Sequence, residues 1–350
     1  MKLLVSALEH SANVHLKALK SELNDDVEFM GIFDEALGNP LIDLRSLAIM
    51  GIVDALKKLR FFFKLKDQMV DLAEEADKVL LIDSSGFNLP LAKAIKKRYP
   101  DKEIIYYILP QAWVWKKKRI PVLERTIDHL ASILPFEKDH YSKNAPIEYV
   151  GHPLLDEIEQ FKTSLEGNGK IVFMPGSRRA EITKLMPIFK EVRKRLDKPA
   201  VIVIPDFFDD KKVEELYGDI SGFERTNDAH KALYESDFAF ICSGTATLEA
   251  SLIGIPFILT FIAKPFDYFI GNLLLKLDYA GLGNIMFTKF SDHSLHPEFI
   301  QKEVTVENLL TSYKNYDAEK FFKDSKALRN YLQHGSSARV AAILKDRDEN

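Results

Sequence analysis

The chain has 350 residues, 46% hydrophobic and 29% charged, which is globular composition with enough apolar material for two domains and excludes a disordered or disulfide-stapled protein. Its 48 Lys and Arg against 52 Asp and Glu leave a net charge of −4, so attraction of the whole chain to nucleic acid is not its main business. Cys242 is the single cysteine, which excludes an internal disulfide framework and a Cys-rich zinc site. The apolar start, Met1 to Leu8, is interrupted by Glu9 and His10 and is too short for a secretory core segment. The longest apolar stretch, Phe238 to Ala263, contains Ser243-Gly244-Thr245, Glu249 and a Gly254-Ile255-Pro256 break. It reads as strand, turn, helix and strand rather than a membrane span, and the chain as cytoplasmic, either soluble or attached to a surface.

In chain order, Lys2-Ala7 is a buried strand, Ser11 to Leu23 a helix, Val27-Ile32 a strand, and Leu47 to Ala73 mostly helix. Val79-Asp83 is a second buried strand, followed by a helix over Leu89-Arg98 and a strand over Glu103-Leu109. Short strands at Ile133-Leu134 and Ile147-Val150 precede a break at Gly151-His152-Pro153. The alternation restarts at Lys170-Met174 and continues through helix Glu181-Leu196, strand Ala200-Ile204, helix His230-Glu235, strand Phe238-Cys242, helix Thr245-Ile253 and strand Pro256-Thr260. Strands alternating with helices predict parallel sheets, and the restart predicts two of them with a hinge within 153–169. The final forty residues read as helical.

Ligands of open parallel sheets sit at the carboxyl ends of strands, so the residues just past each apolar run carry the argument. Lys170-Met174 runs into Pro175-Gly176-Ser177-Arg178 at the start of a helix. Helix amides with a forked cation suit phosphate; an ordinary turn with a solvated arginine is the plainer reading. Phe238-Cys242 runs into Ser243-Gly244-Thr245, with Glu249 one turn into an otherwise apolar helix. That carboxylate either accepts from the hydroxyls of a ribose or is paired within the protein. Asp83, at the end of Val79-Asp83 in the loop Ser84-Ser85-Gly86-Phe87-Asn88, is placed either as a general base or as a helix cap. Glu9 has the same two readings.

No glycine-rich dinucleotide fingerprint follows a strand and no Walker loop exists, which counts against nicotinamide and ATP. His293 and His296 read as a loop pair without metal. Over 49–66, Ile49, Ile52, Val53, Leu56, Leu59 and Phe63 form a core stripe, and Met50, Phe61, Phe62 and Leu65 lie roughly opposite. With Lys57, Lys58, Arg60, Lys64 and Lys66 and no acid over 57–66, this second face predicts contact with a membrane surface; a helix buried on both sides or a dimer contact competes. Trp113-Val114-Trp115 before Lys116-Lys117-Lys118-Arg119 repeats the theme.

Seven segments occur in an order that resembles the lipid-A-disaccharide synthases, inverting glycosyltransferases of lipopolysaccharide assembly. They are Ala48-Ile49-Met50-Gly51-Ile52-Val53, Pro110-Gln111-Ala112-Trp113-Val114-Trp115, Leu134-Pro135-Phe136-Glu137-Lys138, Gly151-His152-Pro153, Pro175-Gly176-Ser177-Arg178, Ser243-Gly244-Thr245-Ala246-Thr247-Leu248-Glu249 and Lys264-Pro265-Phe266. The resemblance covers residue 1 to about 290. It implies an α/β fold of two Rossmann-like domains with a cleft between them, of the GT-B glycosyltransferase type. Residues 1–160 form the acceptor side, 161–320 the UDP-sugar side, and 321–350 a helical tail packing back on the first domain.

The implied donor is UDP-2,3-diacylglucosamine and the implied acceptor 2,3-diacylglucosamine 1-phosphate, giving a β-1,6-linked disaccharide 1-phosphate and UDP. The resemblance gives Asp83 the role of base and Arg178, with the amides near Ser177 and Ser243, that of stabilising the departing diphosphate. Glu249 is expected at the ribose and Asn284 near the nucleotide; Ser11, Asn88, Gly176, Gly244 and Thr245 complete the expected substrate contacts. No cofactor and no metal is expected, because Arg and helix termini can take a metal's place. Acylated substrates imply peripheral attachment to the inner membrane of a Gram-negative bacterium, with Met50, Lys58, Phe61, Phe62, Lys64 and Leu65 as the contact, and allow a homodimer.

Two departures lie on the acceptor side. Where the family's first loop reads Gly-Glu-x-Ser-Gly-Asp, this chain has Leu8-Glu9-His10-Ser11-Ala12-Asn13, and Gly86 stands in place of an aspartate. Glu9 and Asn13 remain acceptor-side candidates. The competing readings are another UDP-sugar enzyme of the same fold, such as a peptidoglycan glycosyltransferase or an epimerase, and a catalytically dead UDP-sugar-binding protein at the membrane surface.

Overall fold

The computed structural model describes residues 1–43, 55–262 and 278–346, with the side chains of 55–59, 114 and 115 outside the description. Met50 and the side chain of Lys58 therefore lie outside the described residues. The chain divides into two units, Met1–Glu157 with Leu332–Asn350, and Ile158–Tyr331.

In the first unit, β1 (Lys2–Ser6), β2 (Glu28–Phe33), β3 (Ile42–Asp43), β4 (Lys78–Ile82), β5 (Ile104–Tyr107), β6 (His129–Ser132) and β7 (Ile147–Tyr149) form one sheet in the order β3-β2-β1-β4-β5-β6-β7. Every pairing is parallel. A parallel sheet is covered on both faces, which is why its strands read as unbroken apolar runs. Alternate residues go to opposite layers. Leu4, Leu81 and Tyr106 pack with Leu65 and Met69 of the Ala55–Leu72 helix and Leu91 and Ile95 of the Ser85–Arg98 helix. Leu3, Leu80 and Tyr107 pack with Leu16 of the His10–Glu22 helix and with Val340 and Leu344 of the Ser336–Lys345 helix. The end of the chain thus covers one face of this sheet, but residues 321–331 of the expected tail belong to the second unit.

The Ala55–Leu72 helix corrects the expected faces. Leu65 is 1% exposed and Phe63 is 57% exposed, the reverse of their predicted places, and Phe61 and Phe62 lean on the same core as Leu65. The phase is fixed by Leu65, Met69 and Ala73, which recur at helical spacing and are buried. Leu65 is consequently a core residue. Arg60, Phe63 and Lys64 face outward.

The first unit also buries a carboxylate. Glu137 is 1% exposed and its Oε2 accepts the Ser132 hydroxyl at 2.5 Å. Burial pushes its carboxyl up to about 7, while Ser132 and the Trp113 indole pull the other way. An unfolded glutamate titrates near 4.5, so the folded state holds the proton more tightly. The stabilisation is fully present below about pH 4.5 and is lost as the pH rises through about 7. The loss amounts to about 3 kcal/mol. In Glu137→Gln the amide cannot ionise, so urea unfolding at pH 5 and pH 8 is expected to show a smaller fall in stability than in the wild type. Equal falls in both proteins would show that Glu137 is not the titrating group.

In the second unit, β8 (Ile171–Met174), β9 (Ala200–Val203), β10 (Glu224–Thr226), β11 (Phe238–Cys242), β12 (Phe257–Phe261) and β13 (Glu298–Ile300) form a parallel sheet in the order β10-β9-β8-β11-β12-β13. Phe173, Phe189 and Phe240 build its core, with Phe173 and Phe240 stacked at 5.3 Å. In both sheets the chain winds outward on one side of the first strand and then returns to the other side. The reversal falls between β1 and β4 in the first sheet and between β8 and β11 in the second, and crevices for ligands open at such points. Among the described residues no helix is long and apolar enough to cross a membrane.

Candidate functional site

At the reversal point of the first sheet, the chain leaves β4 through Asp83 and Ser84, both in the left-handed region with φ 48° and 41°. Aspartate and serine occupy that region only against a steric cost, so other contacts must hold the turn. The Asp83 N–H donates to the Tyr107 carbonyl at 3.1 Å, and the Asp83 carbonyl accepts from the Tyr106 hydroxyl at 2.6 Å and from Asn88 Nδ2 at 2.9 Å. With its peptide so pinned, the half-buried Asp83 side chain is set by the backbone. Burial raises its carboxyl above the ordinary aspartate value and the charge of Glu9 adds to the rise, against the Ser84 amide and His15. Glu9 ends the β1 side of the same crevice and its Oε1 accepts the Ser84 hydroxyl at 3.1 Å.

Two expected substrate contacts here prove to be framework. Asn88 is fully buried: its Oδ1 accepts the Ser6 hydroxyl at 2.6 Å and its Nδ2 also reaches the Ile82 carbonyl at 3.1 Å. It ties β1 to β4 behind Asp83 and has no exposed atom for a ligand. Asn13 is 5% exposed, donates to the Ala7 and Glu9 carbonyls at 2.9 Å each, and accepts the Asp34 amide at 2.7 Å. It shapes the Glu9 turn. Ser11 stays exposed on the first turn of the His10–Glu22 helix.

At the reversal point of the second sheet two helices start side by side, Arg179–Leu196 after β8 and Thr245–Ile253 after β11. Their N-cap residues, Arg178 and Gly244, make no side-chain cap bond, so both leave first-turn amides available to an anion. Ser177 lies one residue before the cap and is exposed. Two glycines are required for different reasons. Gly176 has φ 95°, and a Cβ there would come 2.6 Å from Glu181 Oε2 and 3.3 Å from Cys242 Sγ. Gly244 has open space around it, but its φ of 154° with ψ of −168° belongs to glycine alone.

Arg178 is 81% exposed and its Nη1 donates to Glu181 Oε1 at 2.9 Å, which aims the guanidinium along the helix start. Glu249 has its carboxylate 3.5 Å from His230 Nε2 and keeps 18% of its side chain exposed. It is therefore paired, yet accessible to hydroxyls. Ser243 Oγ donates to the Ala280 carbonyl at 3.4 Å, linking the β11 end to the 278–284 loop, and Thr245 is exposed on the helix's first turn.

Asn284 is the third framework amide. It is fully buried, with Nδ2 donating to the His296 carbonyl at 2.9 Å and Glu298 Oε1 at 2.8 Å, and Oδ1 accepting from the Leu295 and His296 amides at 2.7 and 3.1 Å. Two donors and two acceptors are the whole capacity of an amide side chain, so none is left for a nucleotide. Glu298 also accepts the Ala280 and Gly281 amides at 2.7 and 3.0 Å, which makes it the organiser of the loop beside Ser243. Sequence reading missed Glu298 and Glu181. The second carried a signal, an acid three residues after the helix cap; a lone Glu in a short edge strand carried none.

Residues 3–343 match the family described as lipid-A-disaccharide synthetase. The chain is 48% identical over 355 residues to the lipid-A-disaccharide synthase of Helicobacter acinonychis (strain Sheeba), covering 98% of this chain and 97% of that protein. It is 44% identical over 364 residues to the lipid-A-disaccharide synthase of Campylobacter jejuni (strain RM1221), covering 98% and 99%. Among solved structures it resembles UDP-GlcNAc 2-epimerase from Neisseria meningitidis bound to UDP-GlcNAc, with a TM-score of 0.63, 13% identity and coverage of 99% and 100%. MurG of Acinetobacter baumannii gives a TM-score of 0.61 at 13% identity, with coverage of 98% and 99%. At those identities the structures speak for the fold alone, two parallel-sheet units of glycosyltransferase type. The sequence matches run from one end of the described fold to the other, and on that ground the chain belongs to the lipid-A-disaccharide synthetase family.

Proposed function

We propose that this chain transfers the 2,3-diacylglucosaminyl group of a UDP-activated donor to the 6-hydroxyl of 2,3-diacylglucosamine 1-phosphate, with inversion, releasing UDP. The observation that carries the reading is the family match over residues 3–343. The chemistry at the reversal point of each sheet supports it. Asp83 takes the proton of the acceptor hydroxyl as its oxygen attacks the anomeric carbon. The bond from that carbon to the diphosphate breaks with its electron pair going to UDP. Arg178 and the amides of the two uncapped helix starts meet the growing negative charge, and Glu249 accepts from ribose hydroxyls.

Substrates with two acyl chains reside in a bilayer, and the enzyme meets them there through an exposed apolar side chain among cations. Phe63, flanked by Arg60 and Lys64, offers that chemistry; Leu65, in the core, does not. The attachment is to the cytoplasmic face of the inner membrane, and a homodimer is consistent with the family.

The test is product analysis of purified protein with both acylated sugars in mixed micelles, read by mass spectrometry, with vesicle co-sedimentation alongside. One disaccharide 1-phosphate per UDP is expected, together with weaker binding of Phe63→Asp to anionic vesicles. UDP-sugar bound without disaccharide would sink the transfer reading, and unchanged sedimentation would sink the Phe63 contact.

A further inference from the structure

One cation near Asp83 has no role in the reading above. Arg119 follows the exposed Lys116, Lys117 and Lys118 but is itself partly buried, at the end of the Lys117–Arg119 turn and just before the Ile120–Thr126 helix. Its Nη1 donates to Ser85 Oγ at 3.0 Å. Ser85 opens the Ser85–Arg98 helix and stands two residues after Asp83. Arg98, Arg178 and Arg225 each meet a carboxylate. Among the described residues Arg119 meets none, and the one described hydrogen bond of its guanidinium goes to a neutral hydroxyl. A guanidinium carries five donors and a permanent charge, and partial burial without a counter-charge is costly. Arg119 and Asp83 both act on the Tyr106 hydroxyl, with opposite sign, so the cation and the base lie around one common group.

We infer that Arg119, steadied by Ser85, receives the phosphate monoester of the acceptor and thereby selects an anionic acceptor. This rests on the reading that Asp83 takes the proton of the acceptor hydroxyl. In a hexose 1-phosphate the attacking 6-hydroxyl and the phosphate are separated by one pyranose ring. Two residues of chain reach at most about 7 Å, so a sugar whose hydroxyl meets Asp83 is long enough to place its anomeric phosphate beside Ser85 and within the guanidinium's range. A planar fork binds two phosphate oxygens at once, which a lysine cannot do. Phosphate at this end also fixes which end of the sugar is offered to the base.

The experiment measures kcat/KM for the 1-phosphate acceptor and for its dephosphorylated counterpart of the same acyl composition. Both are presented in uncharged mixed micelles, which removes attraction to an anionic surface. The wild type is expected to prefer the phosphorylated acceptor by roughly 10- to 100-fold. In Arg119→Met the ratio collapses towards unity while the KM for the UDP-sugar holds, and Arg119→Lys gives an intermediate ratio. A merely structural arginine would lower both rates together and leave the ratio intact; that result, or an absent preference in the wild type, overturns the inference. Disaccharide from neither acceptor in the wild type would instead bring down the functional reading, and this inference with it.

Discussion

Asp83→Asn is expected to lower kcat by about 10²- to 10⁴-fold, the range of a positioned general base, and to leave UDP binding intact. The substitution is close to isosteric. The turn is held through the Asp83 peptide by Tyr106, Tyr107 and Asn88, so asparagine inherits the same backbone and loses only the ability to take a proton. The pH dependence separates this from a structural defect. Burial and the Glu9 charge raise the Asp83 carboxyl, and a base works only when ionised, so the acid limb of kcat/KM should lie above the ordinary aspartate range. Removing the neighbouring negative charge in Glu9→Gln favours ionisation of Asp83 and should move that limb to lower pH. A limb that stays in place in Glu9→Gln would show that Asp83 is not the group being titrated.

The sheets were readable because parallel strands covered on both faces leave unbroken apolar runs; Val79, Leu80, Leu81 and Ile82 are all fully buried. The strand ends were readable too, since a small polar loop after such a run has few other reasons to exist. What the sequence hid is which polar residue faces a ligand and which holds the loop that does. Asn13, Asn88 and Asn284 carry the same side chain a ligand site would use, but all three spend it on partners within the protein, chiefly backbone, with the Ser6 hydroxyl and the Glu298 carboxylate besides. Only the three-dimensional partners decide between these roles, because the amide's capacity is finite. The phase of the Ala55–Leu72 helix went wrong for a related reason. Phe63 and Leu65 are both apolar, and the choice between them is made by Met69 and Ala73 further along and by the strands beneath, not by the local pattern. The left-handed turn at Asp83 and Ser84 leaves no mark at all in the residue types.

Arg178→Ala is the other large effect, an expected loss of about 10²- to 10³-fold in kcat, similar to removal of one preorganised donor from developing anionic charge. The structure separates two ways in which this residue could matter. Arg178 is itself exposed, but its partner Glu181 is buried and loses the cation in Arg178→Ala, so a modest fall in thermal stability is expected alongside the kinetic loss and kcat is read well below the unfolding temperature. The donor's diphosphate is already charged when bound, so part of the Arg178 interaction is present in the ground state and appears in KM. Charge on the leaving oxygen grows only as the anomeric bond breaks, and that part appears in kcat. A change confined to KM would place Arg178 on the bound diphosphate alone and deny it a share in bond cleavage. Glu181→Gln provides the internal control. It keeps a hydrogen-bond acceptor near Gly176 but weakens the hold on the guanidinium, so it should cost far less than the arginine itself. If the two losses were equal, the ion pair as a unit, rather than the cation, would be what the reaction uses.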